Sequence, residues 1–126
     1  MGVPTEWRQV DPVLQPGRFV FVSVPEVPGG AEPVATIVEP EGVSLVLHAD
    51  AAAAIGLSPH FVAAMITLQV HSSLDGIGLT AAVSAALSAA GIACNVIAGY
   101  HHDHLFVPYE RAHEAVELLR ALPGPT

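Results

Sequence analysis

The 126 residues are 52% hydrophobic and include twelve acids, four arginines and no lysine, for a formal charge of −8. That is apolar chain enough for one core-bearing domain, or two very small subdomains sharing a core, and too little positive charge for a nucleic-acid surface. No apolar run reaches the roughly 18–20 residues of a membrane helix, and the lone Cys94 excludes an internal disulfide framework and fits a reducing cytoplasm.

Residues 1–17, MGVPTEWRQVDPVLQPG, lack the basic start and apolar stretch of a secretory signal and read as an irregular lead-in broken by Pro12, Pro16 and Gly17. Phe19–Val24 is a β-branched and aromatic run of strand length. Residues 25–33, with three prolines and two glycines, read as a loop. Val34–Val38 and Val43–Leu47 form the arms of a hairpin turned by Glu39-Pro40-Glu41-Gly42. Asp50 is placed to cap a short helix through Ile55, which Gly56 stops. Ile66, Leu68 and Val70 alternate with Thr67, Gln69 and His71, the pattern of a strand with one buried face. Leu79, Ala82, Val83, Ala86, Leu87 and Ala90 recur every three or four residues, which predicts an amphipathic helix ended by Gly91. Strands Ile92–Tyr100 and Leu105–Tyr109 are expected around His101-His102-Asp103-His104, and Ala112, Ala115, Val116, Leu119 and Leu122 mark a last helix ended by Pro123.

From Ala64 to Leu122 the order strand, helix, strand, strand, helix is most of a split βαβ unit. Its missing strand is expected from Phe19–Val24 or from a partner chain. The first half repeats the scheme without its first helix. The expected division is a lead-in over 1–17, a degenerate half over 18–62 and a second half over 63–122.

Candidate chemistry is concentrated between His71 and Pro108. Asp75-Gly76-Ile77-Gly78 leads into a helix start, where glycine admits a close ligand and free N–H groups carry partial positive charge. Such a turn suits the carboxylate of a small molecule. Asp75 is placed for an ammonium group, and Asn95 on the following strand can both donate and accept. The plainer alternatives are a tight strand-to-helix connection and an asparagine that satisfies a backbone edge. His101, His102, Asp103 and His104 have ligand chemistry suited to zinc or nickel, but a tight turn rarely converges three side chains on one ion. No metal and no cofactor are therefore expected. A turn held by Asp103 is the default, with His102 or Asp103 also able to reach a ligand. His71, Ser72 and Ser73 are adjacent and cannot form a triad, Cys94 alternates with Ile92 and Val96 as a buried, inert thiol would, and no enzymatic activity is expected.

The stretch ITLQVHSSLDGIGLTAAVSAALSAAGIACNVIAGYHHDHLFVP, with EPEGVSLVLHADAAAAIGL before it, resembles the ACT domain, a ferredoxin-like module that binds amino acids. It is similar to the ACT pairs of aspartate kinases and of eukaryotic arginine sensors, and most of all to a bacterial family of small stand-alone ACT proteins. The resemblance implies an α+β fold of two ACT-like halves, with antiparallel sheet and helices on one face. By the same likeness ligand contacts fall at Asp75, Gly76, Ile77 and Gly78 and on the facing strand at Asn95, Val96 and Ile97. The implied function is an allosteric regulator or sensor of a small molecule, an amino acid; a chain this short and apolar, with unpaired sheet edges, is also expected to form a homodimer or larger symmetric assembly. The regulated enzyme is then a separate partner. The alternatives are an oligomerisation module without ligand and a small metal-binding protein using the His101–His104 turn.

Overall fold

The computed structural model of the chain describes residues 10–70, 75 and 77–122. In chain order these form β1 (Pro12–Leu14), β2 (Phe19–Val24), β3 (Ala35–Glu39), β4 (Gly42–His48), α1 (Ala49–Ala54), β5 (Ala63–Leu68), α2 (Leu79–Ala89), β6 (Asn95–Ala98), β7 (Asp103–Pro108) and α3 (Ala112–Arg120). They fall into two compact units. One is Gly17–Ala63, and the other joins the described residues before Gly17 to those from Ala64 onward.

The first unit is built on β4, which pairs antiparallel with β2 on one side and β3 on the other. Glu39 pairs with Gly42, so Pro40 and Glu41 form a two-residue hairpin turn. The turn needs glycine at 42, where φ is +151° and an added Cβ would lie 2.8 Å from the Val24 carbonyl oxygen. Alternation puts Val20, Leu45 and Leu47 on the face that packs against Ala52 of α1. His48 stands at the N-cap of α1, and Asp50 lies in the first turn with no side-chain capping bond. At the other end Gly56 N–H donates to Ala53 O and Leu57 N–H to Ala52 O, a Schellman stop closed by the left-handed Gly56. No helix stands between β2 and β3, where residues 25–34 run as loop.

In the second unit the strand order is β1-β5-β7-β6. The segment expected to be an irregular lead-in supplies a strand: Pro12, Val13 and Leu14 pair antiparallel with Leu68, Thr67 and Ile66. This fills the place that the sequence assigned to Phe19–Val24 or a partner chain. Ile66 and Leu68 of β5 and Leu105 and Val107 of β7 face Leu79, Val83 and Leu87 of α2 and Ala115 and Leu119 of α3. Both helices thus cover one face of the sheet, and Val10, 1% exposed, is sealed into the same core. Each of the buried leucine, isoleucine and valine side chains contributes about 1.5–3 kcal/mol relative to exposure. Gly91 N–H donates to Ser88 O and Ile92 N–H to Leu87 O, repeating the stop that ends α1. Arg111, in a short 3-10 turn before α3, donates from Nη2 to the Ala90 carbonyl at the end of α2. Pro123, the expected helix stop, lies outside the described residues.

Candidate ligand sites

The turn before α2 is open. Asp75 is exposed and Ile77 is 71% exposed. Gly78 is the N-cap of α2, and among the described residues no side chain caps the helix start. Gly76, with His71, Ser72 and Ser73, lies outside the described residues. An added Cβ at Gly78 would meet nothing within 4 Å, yet its φ is +102°. Glycine is therefore required there by backbone conformation, and any larger residue strains the helix start whether or not a ligand binds.

Asn95 opens the edge strand β6 and is exposed, so water can satisfy its amide. Val96 is half-buried against the core, and Ile97 pairs with His104. The histidine segment differs from its expected form. Gly99 N–H donates to the His102 carbonyl, which leaves Tyr100 and His101 at the hairpin tip. Asp103 and His104 are already in β7, paired with Ala98 and Ile97. Tyr100 is 79% exposed and meets the His101 ring edge-on at 5.0 Å. Among the described residues no three His, Cys, Asp or Glu side chains gather as an ion would require. Cys94 is half-buried, and burial pushes its thiol above the ordinary value, away from nucleophilic use.

A polar relay crosses the second unit on the sheet face away from the helices. Gln15 Nε2 donates to Thr67 Oγ1 at 3.1 Å, and Thr67 Oγ1 lies 2.9 Å from His104 Nδ1. With its oxygen accepting from Gln15, the Thr67 hydroxyl still has its proton to give to Nδ1, an arrangement that goes with the neutral Nε2–H tautomer of His104. The ring is also fitted closely, since a Cβ at Gly99 would lie 3.3 Å from His104 Nε2. Burial, then the charge of His102, holds His104 below the ordinary histidine value, against the opposing effect of Asp103. The alternation in Ile66–His71 marked Thr67 as solvent-facing, but it is 4% exposed because residues from two other strand segments close over it.

A second concave feature lies wholly in the first unit. The stretch Gly29–Glu32 faces Leu47 at the end of β4 and Ala51, Ala54 and Ile55 along α1, around a cleft of about 350 Å³. His48 also borders it, but its ring is turned against Phe19 at 4.6 Å between centroids. Nothing in the spacing of these residues announced a pocket. The only signal was the run of prolines and glycines standing where a helix would lie in a full split βαβ unit.

Models of the ACT domain match residues 7–64 and, separately, residues 61–121. A protein of unknown function from Vibrio cholerae, described as a possible transport protein, is 45% identical, with 90% of this chain matched to 88% of that one at a TM-score of 0.85. The chain belongs to the ACT-domain family. A protein from Agobacterium tumefaciens (21% identity, 88% of this chain on 87% of that one, TM-score 0.66) shares the fold. So does the structure of the aspartokinase α and β subunits, at 10% identity, 86% and 94% coverage and a TM-score of 0.61. No protein of curated function matches the chain. The α+β, ferredoxin-like fold implied by the sequence resemblance is thus established, in a family whose domains are typically ligand-binding regulatory modules. Among the described residues no helix is long and apolar enough to cross a membrane.

Proposed function

We propose that this protein is a cytoplasmic amino-acid sensor that takes its ligand at the turn Asp75–Gly78, with Asn95, Val96 and Ile97 contributing from the following strand of the same unit or from a second copy. The observation that carries the reading is the open helix start itself. Among the described residues no side chain caps the first N–H groups of α2, and Gly78 presents them without a Cβ. Asp75, three residues before Gly78 in the sequence, is exposed, so the segment combines donors for a carboxylate with an acceptor for an ammonium group. Exposed Asn95 keeps its amide available for a ligand's polar groups.

Self-association belongs to the same reading. β3 carries Val38 at 82% exposure and Ile37 beside it, and it ends the strand order of its unit. An apolar terminal strand of this kind is stabilised by pairing with another copy. A thermal-shift screen across the amino acids, followed by calorimetry, tests the sensor. A ligand that binds only the folded state raises the midpoint. An upward shift with one amino acid, lost in Asp75→Ala, supports it. No shift with any of them leaves the oligomerisation module as the better account, and light scattering then gives the assembly state.

A further inference from the structure

The cleft of the first unit exists because a helix is missing. In the second unit α2 and α3 together cover the sheet, and Leu79, Val83 and Leu87 fill the space between α2 and the strands. In the first unit only the six-residue α1 lies on the corresponding face, and the loop that replaces the other helix brings Gly29, Gly30 and Glu32 over the gap. The walls left behind are aliphatic, formed by Leu47, Ala51, Ala54 and Ile55. Gly30, at a φ of +81°, takes a backbone conformation that favours glycine.

The charge at this cleft has one sign. Among its lining residues Glu32 carries the only carboxylate, no arginine is present, and the His48 ring is engaged with Phe19. Within Gly17–Ala63, Glu26, Glu32, Glu39, Glu41 and Asp50 stand against the single Arg18, and the chain has no lysine. A ligand carboxylate therefore meets no cationic side chain among the lining residues, whereas an ammonium group meets the exposed carboxylate of Glu32 in a negative field.

We propose that this cleft binds a small primary aliphatic amine, with the hydrocarbon body against Leu47, Ala51, Ala54 and Ile55 and the ammonium on Glu32. The volume, near the lower end for ligand pockets, fits a branched chain of a few carbons and not a larger cofactor. This site is independent of the Asp75–Gly78 turn, and either can fail without the other.

The test uses the whole chain with three isosteric probes: 3-methylbutylamine, 3-methylbutanol and 3-methylbutanoate. Backbone-amide NMR titration locates the binding, and calorimetry measures it. The amine is expected to perturb Gly29, Gly30 and the α1 amides and to bind at least about tenfold more tightly than the alcohol, with the carboxylate weakest. Glu32→Gln is expected to erase the preference of amine over alcohol, and Ala54→Phe, at an exposed helix position, to remove binding of all three. Circular dichroism establishes that both variants remain folded, and the probe series on the unaltered chain decides alone if either does not. Equal affinity for the three probes, shifts located elsewhere, or no amine binding up to about 10 mM would overturn the assignment.

Discussion

Replacing Thr67 by Val keeps the shape of a β-branched side chain and deletes one oxygen. That oxygen accepts from Gln15 and serves His104, so two hydrogen bonds are lost at a site 4% exposed. Each bond is worth about 1 kcal/mol net, and burying a methyl in place of the hydroxyl returns about 0.8 kcal/mol. Gln15 is half-buried and its amide can turn to water, so the residual penalty falls mainly on His104 Nδ1. The expected loss is about 1–2 kcal/mol, seen in calorimetry as a fall in Tm of roughly 3–8 °C for a chain of this size. Nitrogen NMR of the imidazoles supplies an independent readout, because the unaltered protein should hold His104 as the Nε2–H tautomer and Thr67→Val should release it. An unchanged Tm together with an unchanged tautomer would mean that Thr67 does not set the state of His104.

The remaining expectations concern other parts of the chain. Gly42→Ala places a Cβ 2.8 Å from the Val24 carbonyl at a φ of +151°, and should destabilise the protein by about 1–3 kcal/mol in urea unfolding. Val10→Ala opens a gap in the second unit's core and should cost about 1–2 kcal/mol by the same measurement, whereas a truly irregular lead-in would tolerate it. Because His104 titrates below the ordinary histidine value when folded, the unfolded chain takes up that proton first as pH falls. The stability that His104 provides is thus complete above about pH 6.5 and is lost as pH drops from there through the lower folded value. His104→Gln should flatten that part of the decline in urea midpoints measured from about pH 7.5 to about pH 5. Asp75→Ala should weaken the best amino acid from the thermal screen by about tenfold in calorimetry, and it serves better than any change at Gly78, where backbone strain would confuse the result.

Features set by near neighbours were legible in the sequence. The three- and four-residue spacing of Leu79, Val83 and Leu87 located α2, and Gly56 and Gly91 ended their helices by the local bonding that a left-handed residue permits. The hairpin at Pro40-Glu41 was legible for the same reason. What escaped was conferred from far along the chain. Pro12-Val13-Leu14 has little strand character of its own and becomes one by pairing with Leu68, Thr67 and Ile66. Thr67 reads as polar and exposed until Gln15 and His104 are placed upon it. Asp103 and His104 look like turn residues, and the Gly99–His102 bond moves the turn back toward Tyr100. At the candidate ligand turn the glycine pattern was visible, but the positive φ that requires glycine at 78 was not. The cleft under Gly29–Glu32 was invisible because it depends on what the loop fails to fill.

The position of β1 also bears on how such a chain can fold. The second unit is interrupted, since its first strand precedes Gly17 and its remaining strands follow Ala63, with the whole first unit between them. Pairing Leu14 with Ile66 directly means closing a loop of about 50 residues, a non-local contact of the kind that slows folding. The first unit is continuous in sequence, so it can form before the rest. When it does, Phe19 pairs with Ala63 and its two ends are brought together. The loop left to close between Leu14 and Ile66 then shrinks to about eight residues, which lowers the closure cost by about 1–2 kcal/mol. The degenerate half, short of one helix, thus has a structural use that does not depend on any ligand: it delivers β1 to the edge of β5. A substitution that weakens the β2–β4 pairing, such as Gly42→Ala, should for this reason slow the formation of the second unit's core as well as destabilise the first. Stopped-flow refolding read at the Thr67–His104 relay would separate this coupling from two independently folding units, for which the relay would form at an unchanged rate.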